Sequence, residues 1–139
     1  MTRLAPSGLT IALRAGEDIA ARTFYTTLFG RAPDYSPHED FLEWQIARGA
    51  WIQIMTGCDP VEPSLNRVRF QVEDLAAATA ALRAQGIAVE PPTTLPGVVI
   101  FTNLTDPWGN PLGLFQDLAP AGGPTVPGGT VRDESHFLG

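Results

Sequence analysis

The sequence predicts an α+β fold made of two copies of one β-α-β-β-β unit. The first observation is a repeat, because the segment Glu17–Thr23 returns with few changes as Glu73–Thr79. The second is that the same displacement carries Gly30 onto Gly86. Each half thus has an acidic helix start, a small apolar helix and a closing glycine. A repeat of this kind indicates two copies of one supersecondary unit, neither of which buries its apolar face alone.

The first half begins with a strand over Leu9–Ala15, since apolar residues alternate there with polar or small ones. Asp18 is the expected cap of the following helix, and Gly30 is its expected end. The pair Arg48–Gly49 predicts a tight turn between two strands. The strands expected after the helix are Pro33–Tyr35, Phe41–Ala47 and Ala50–Thr56.

The second half follows a linker rich in proline and glycine at Gly57–Ser64. The turn Asp106–Asn110 separates its last two strands, because proline and glycine set the backbone there. Residues 1–117 are expected to form one domain, with half-repeats at about 8–56 and 65–117, followed by a Gly/Pro-rich tail at 118–139. The expected elements are a strand at Leu65–Val72, a helix at Leu75–Gln85, and strands at Ala88–Glu90, Val98–Leu104 and Pro111–Asp117.

Composition excludes several classes of function. The net charge of −6 disfavours nucleic-acid binding, which needs a basic surface. No apolar run approaches the length of a membrane span, and the N-terminus has no signal-peptide pattern. The single cysteine, Cys58, forms no disulfide within the chain, which indicates a reducing cytoplasm. All nine basic residues are arginine, which excludes a lysine Schiff base.

Three segments in order resemble one known family. They are Ala21–Tyr25 with Leu28–Gly30, then Phe70–Leu75, then Asp106–Leu112. Together with the repeat, they resemble the vicinal oxygen chelate superfamily, which contains glyoxalase I, extradiol dioxygenases, a fosfomycin-resistance group and the bleomycin-resistance proteins. The resemblance covers about residues 8–117. It implies that the two units form a curled mixed sheet around a cup-shaped cavity, and that the chain forms a homodimer.

The resemblance also implies where a divalent metal would be held. The family's four ligand positions fall at Thr10 (or Ile11), Gln53, Arg67 and Gly113, where metal-dependent members have histidine, glutamine or glutamate. A guanidinium repels a cation, and glycine has no side chain to donate. We therefore predict that this chain has no metal site and no cofactor. The two histidines, His38 and His136, are interpreted as surface or packing residues.

The strand alternation predicts a binding surface on the face of the sheet that turns away from the helices. Aromatic side chains there would bind flat rings, and arginine would pair with anionic groups. Gly113 is expected to leave room for a ligand ring. The alternative is a cup filled by its own side chains or by a dimer interface. No catalytic residue is assigned. The predicted ligand-binding residues are Trp44 (if its strand faces the same way), Trp51, Gln53, Met55, Arg67, Arg69 and Phe115.

The expected function is a metal-independent, cytoplasmic binding protein of the bleomycin-resistance type. Such a protein would sequester a flat aromatic or anionic compound, with antibiotic resistance as the outcome. One alternative is a metal-dependent lyase or dioxygenase whose ligands lie elsewhere in the sequence. Another is a metal-free lyase or isomerase that uses Arg67 and a glutamate such as Glu43 or Glu90. A third is a degenerate module with a structural or partner-binding role.

Overall fold

A computed structural model describes residues 4–119, which divide into two units. The first unit contains residues 4–65 and 106–110, and the second contains residues 66–105 and 111–119. The turn at residues 106–110 thus joins two strands of the second unit but belongs to the first. His136 and most of the predicted tail, residues 120–139, lie outside the described residues.

The first unit is a three-stranded mixed sheet with one helix. Its elements are β1 (Leu9–Arg14), α1 (Asp18–Phe29), β2 (Phe41–Ala47) and β3 (Ala50–Met55). The strand order is β1-β3-β2, with β1 parallel and β2 antiparallel to β3. The predicted turn at Arg48–Gly49 is confirmed, and the φ angle of Gly49 is 76°.

The second unit is a four-stranded mixed sheet with one helix. Its elements are β4 (Val68–Gln71), α2 (Leu75–Ala84), β5 (Thr93–Leu95), β6 (Val99–Thr105) and β7 (Pro111–Asp117). The order is β4-β7-β6-β5, with β4 parallel to β7 and the other pairs antiparallel. In both units the first strand lies parallel beside the last, so the sequence repeat corresponds to a structural one. The predicted α+β class is confirmed.

The helix ends agree with the prediction except at one cap. The N-cap of α1 is Glu17, whose carboxylate accepts from the backbone N–H groups of Ile19 and Ala20. Asp18, the predicted cap, instead accepts a hydrogen bond of 2.9 Å from the hydroxyl of Thr56. Gly30 ends the helix as predicted, with a φ angle of 73° that favours glycine. Asp74 caps α2, in agreement with the acidic helix start expected in each half.

Two predicted strands are wrong. Pro33–Tyr35 is not a strand, because only Tyr35 pairs with β2, through a single bridge to Glu43. Residues 88–90 are also not a strand, and the missed strand β5 begins at Thr93. Between them lie two prolines, which have no N–H group to give to a ladder. Glu90 is tied to β6 only by hydrogen bonds to Thr102 and Asn103.

Aromatic side chains fill the space between α1 and its sheet. Trp44 is fully buried, and its ring lies 6.1 Å from that of Tyr25 and 5.3 Å from that of Phe29. Its indole N–H donates to the carbonyl of Arg31 at 2.9 Å. The suggestion that Trp44 joins the binding surface is therefore wrong. On β2 it shares the helix-facing side with Leu42, while Glu43 points the other way.

The turn at Asp106–Asn110 is anchored in the first unit by a buried hydrogen-bond network. The carboxylate of Asp106 accepts from the hydroxyl of Tyr25 at 2.5 Å and from the side-chain amide of Asn110 at 2.7 Å. It also accepts from the backbone N–H groups of Trp108 and Asn110. The Asn110 amide donates in addition to the carbonyl of Arg14. Because Asp106 and Asn110 are both buried, these bonds hold the turn against β1 and α1.

The hydroxyl of Tyr25 gives the chain a specific sensitivity to alkali. Burial, and then the charge and hydrogen bond of Asp106, raise the pKa of Tyr25 far above its ordinary value. Above about pH 10 the tyrosine ionises in the unfolded chain but stays protonated in the folded one. The unfolded state then binds fewer protons, so stability falls as pH rises, by about 1.4 kcal/mol per pH unit.

We expect Tyr25→Phe to remove this slope when the free energy of unfolding is measured by urea denaturation between about pH 9 and 11.5. The sequence contains no lysine, so no lysine ammonium group titrates in this pH range and contributes to the slope. Tyr35→Phe is the control, because that side chain is 58% exposed and the slope should persist. Equal slopes in the wild type and in Tyr25→Phe would contradict the assignment.

Candidate binding faces of the two sheets

Each sheet has one side packed by apolar residues and one side that carries polar and aromatic groups. In the first unit Ile52 and Ile54 are buried, while Trp51 and Gln53, which alternate with them on β3, are only partly covered. In the second unit Val68, Leu112 and Leu114 are buried in the same way. We call the opposite side of the first sheet the tryptophan face (Glu43, Trp51, Gln53, Met55). The corresponding side of the second sheet is the arginine face (Arg67, Arg69, Phe101, Asn103, Gly113, Phe115).

The tryptophan face centres on a glutamate–glutamine pair. Glu43 and Gln53 are opposite each other in the ladder, and the Gln53 amide donates to the Glu43 carboxylate at 2.8 Å. Trp51 and Gln53 are half-buried, and Met55 is 43% exposed. These three predicted residues thus point to the same side of β3. Glu43 was named only as a possible acid–base group and not among the predicted ligand-binding residues, although its alternation with the apolar Leu42 and Trp44 would have placed it here.

Arg67, at one end of the arginine face, is anchored by the backbone. Its Nη1 donates to the carbonyl of Leu112 at 2.6 Å and more weakly to that of Leu104 at 3.3 Å. The side chain is half-buried. A buried guanidinium needs acceptors, and the ends of β6 and β7 provide them here. Both acceptors are neutral carbonyls, so they leave the charge of Arg67 without a carboxylate partner among residues 4–119.

Arg69, at the centre of the arginine face, is fixed by three neighbours. Its guanidinium lies over the ring of Phe101, at 5.1 Å from the centroid, and donates to the Asn103 side chain at 3.3 Å. Its Cγ lies only 2.9 Å from the place where a Cβ of Gly113 would stand. Burial and then the charge of Arg67 lower the pKa of Arg69. The expectation that Gly113 leaves room for a ligand ring is therefore wrong, because Arg69 occupies that space.

This close approach makes Gly113→Ala informative. The new Cβ would also lie 2.8 Å from the carbonyl oxygen of Thr102, so the backbone and Arg69 must both move. We expect a loss of about 1–3 kcal/mol in the free energy of unfolding, measured in urea. The loss should be smaller when Gly113→Ala is made in an Arg69→Ala background, since one of the two clashes is then gone. Strictly additive losses would contradict the contact.

The residues at the expected metal positions do not fit a divalent cation. In the second unit, the guanidinium of Arg67 stands at one such position, and Gly113 offers no donor atom at another. In the first unit, the side-chain Nε2 of Gln53 donates to Glu43, so Gln53 could offer only its neutral amide oxygen, a weak ligand for a divalent cation. Among residues 4–119 no group of three or more His, Cys, Asp and Glu side chains could hold a metal ion.

Two clefts lie elsewhere on the first unit. One of about 520 Å³ surrounds the start of α1, and one of about 400 Å³ runs beside its middle. None of the predicted site residues lines either cleft. His38 lines the first, with its ring 5.5 Å from that of Phe41. No helix within residues 4–119 is long and apolar enough to cross a membrane.

Six of the seven predicted binding residues lie on the two faces, three on each, and Trp44 does not. Arg67, Arg69 and Phe115 come together on the arginine face, and three further predicted residues share the tryptophan face. The missed residues of the arginine face are Phe101 and Asn103 on β6. They are paired in the ladder with Phe115 and Gly113, so the correct register would have revealed them.

No family model and no curated protein matches the sequence. Solved structures do match in fold. A glyoxalase/bleomycin resistance protein from Catenulispora acidiphila has a TM-score of 0.67 at 24% identity, covering 78% of this chain and 96% of that one. An antibiotic-binding protein from Streptomyces sp. CB03234 has a TM-score of 0.66 at 21% identity, covering 84% and 99%. A lactoylglutathione lyase from Agrobacterium tumefaciens has a TM-score of 0.64 at 20% identity, covering 80% and 94%.

These similar proteins include an enzyme and a binding protein, so at this level of identity the likeness concerns the fold and not the activity. Each of the three proteins matches this chain over at least 94% of its own length. The sequence segments that resemble the family therefore belong to a chain with the same fold as these proteins. The chain has the fold of the glyoxalase/bleomycin resistance proteins.

Proposed function

We propose that this chain is a metal-independent protein of the bleomycin-resistance type that sequesters a flat aromatic or anionic small molecule. The observation that carries the proposal is the arginine face, where two arginines and two phenylalanines stand on one side of a sheet. A guanidinium supplies paired donors for an anionic group, and phenyl rings supply a flat apolar surface. A mainly apolar surface with a few convergent polar groups is typical of small-molecule sites.

The choice of binding over metal-dependent catalysis is supported by the side chains at the family's ligand positions. A cationic Arg67 and a bare Gly113 would weaken the affinity for a divalent metal, whereas they leave ligand binding intact. The antibiotic-binding protein from Streptomyces shows that this fold also occurs in a protein described as binding an antibiotic. We extend the proposal to a cytoplasmic homodimer whose binding of a toxic compound gives antibiotic resistance.

The test is a fluorescence titration of the purified protein against a panel of aromatic natural products, with neutral and anionic members. We expect at least one compound to change the tryptophan emission in a saturable way. Arg67→Ala should weaken that binding by about tenfold or more, the effect of losing a charged hydrogen bond. Arg48→Ala is the matched control, because this arginine is exposed in the turn between β2 and β3.

The same titration with Trp51→Ala tests the tryptophan face. Emission from Trp44 and Trp108 remains in that variant, so a ligand can still be followed. If no compound alters the emission of the wild type, and Arg67→Ala and Trp51→Ala change nothing, the binding proposal fails.

A second candidate function is supported by the pair Glu43 and Gln53. A half-buried carboxylate whose orientation is fixed by a neighbouring amide has the geometry of a general base. A metal-free isomerase or lyase would use it to remove a proton from a carbon beside a carbonyl group. Mass spectrometry of the panel compounds after incubation would show a product. Glu43→Gln should then abolish conversion and leave binding unchanged, whereas conversion that persists would exclude Glu43 as the base.

A further inference from the structure

Arg67 has a charge that is not neutralised within residues 4–119, where its acceptors are the carbonyls of Leu104 and Leu112. Both bonds come from a single nitrogen, Nη1. A guanidinium has five donor hydrogens, so Nη2 and Nε keep hydrogens for another acceptor. Because the side chain is half-buried, an anion placed against it would be screened less than on an open surface. The residue is therefore both anchored and able to bind an anion.

Arg69 is a second cation, and its position is fixed before any ligand arrives. The ring of Phe101 lies beneath its guanidinium, and the side chain of Asn103 accepts from its Nη2. Gly113 provides the space through which its aliphatic part passes. Ordering a long side chain usually costs binding free energy. Here the protein has ordered Arg69 already, so a ligand would lose less.

The two arginines interact unfavourably in the absence of an anion. The charge of Arg67 is, after burial, the cause that lowers the pKa of Arg69. Like charges held on one face repel each other, and an anion against both would remove that repulsion. Planar oxoanions fit best, because a guanidinium presents its donors as a flat fork.

An aromatic surface adjoins the two cations. Phe115 is the ladder partner of Phe101, so their side chains stand next to each other on the same face. The guanidinium of Arg69 lies over Phe101, and Phe115 lies on β7 two residues beyond Gly113. A ring attached directly to the anion would meet Phe115.

We propose that Arg67 and Arg69 form an anion subsite for a carboxylate attached directly to an aromatic ring, with the ring against Phe115. This inference rests on the proposed binding function and names the ligand class for it. The position that holds a metal ligand in related enzymes would thus be converted from cation binding to anion binding.

The experiment uses nuclear magnetic resonance of the ¹⁵N-labelled full chain. The Nε–Hε signals of the two arginines are assigned with Arg67→Gln and Arg69→Gln and followed during titration at constant ionic strength. The probes are benzoate, its neutral analogue benzamide, the cation benzylamine, and inorganic phosphate. We expect benzoate to shift both signals in a saturable way and to bind about tenfold or more tightly than benzamide. Arg48→Gln should bind benzoate as the wild type does.

Each outcome decides between the two proposals. Equal binding of benzoate and benzamide would overturn the anion subsite and leave the proposed binding of aromatic compounds standing. Equal shifts with phosphate and benzoate would show a general anion surface and overturn the requirement for a ring. A panel compound that binds while benzoate moves neither signal would overturn only this inference. No shift with any probe, together with no panel compound bound, would overturn both.

A conservative variant, Arg67→Lys, separates the loss of the guanidinium from a loss of folding. Arg67→Lys keeps a charge and a donor for the backbone carbonyls but lacks the planar fork. We expect it to fold and to bind benzoate more weakly than the wild type, while its preference over benzamide remains in part. Wild-type affinity for benzoate in Arg67→Lys would show that fork geometry is not used.

Discussion

Asp106→Ala is expected to lower the free energy of unfolding by about 3–5 kcal/mol, since each buried donor left unsatisfied costs about 1–3 kcal/mol. The carboxylate accepts from the hydroxyl of Tyr25, from the side chain and backbone of Asn110, and from the backbone of Trp108. All of these groups lose their acceptor at once in the variant. Urea denaturation at neutral pH gives the free energy directly.

Two variants calibrate this result. Tyr25→Phe removes one donor and leaves the others in place, so its cost should be smaller, about 1–2 kcal/mol. Glu73→Ala removes an exposed carboxylate that caps nothing, and we expect almost no change. If Asp106→Ala cost no more than Tyr25→Phe, the network would not be what holds the turn.

Trp44→Ala is expected to cost about 3–5 kcal/mol, because it empties the space between α1 and the first sheet. The indole is fully buried against Tyr25 and Phe29, and its N–H is used by the carbonyl of Arg31. Loss of this ring leaves a cavity that the rigid neighbours cannot fill.

Trp51→Ala is the matched control, since Trp51 is a half-buried tryptophan on the opposite side of the same sheet. We expect a smaller loss of stability for Trp51→Ala, and weaker ligand binding if the tryptophan face takes part. A cost for Trp51→Ala equal to that for Trp44→Ala would mean that both sides of the sheet serve as core.

The sequence was sufficient where the local pattern determines the structure. β7 was predicted to the residue, because the Gly109–Asn110 turn precedes it and the alternation continues to Asp117. The alternation at Arg67, Val68 and Arg69 likewise placed the arginines on the side away from the helix. In β2 the side on which Trp44 lies was left open, although the alternation of Leu42 and Trp44 with Glu43 indicates a buried tryptophan.

Other features depend on contacts that are remote in sequence. Tyr25 and Asp106 are 81 residues apart, and nothing in one sequence shows that their side chains meet. The backbone acceptors of Arg67 and the place of Arg69 over Gly113 depend on the register of β4, β6 and β7. One sequence gives the side of a strand on which a residue lies, but not which residue on the next strand it faces.

We propose that this protein binds an organic molecule without a metal ion. Elemental analysis of the untagged protein, together with native mass spectrometry of the same sample, distinguishes the two possibilities. We expect no stoichiometric divalent metal, and any mass beyond the polypeptide should belong to an organic ligand that Arg67→Ala fails to retain. One divalent metal ion per chain, removed by a chelator together with ligand binding, would contradict this proposal.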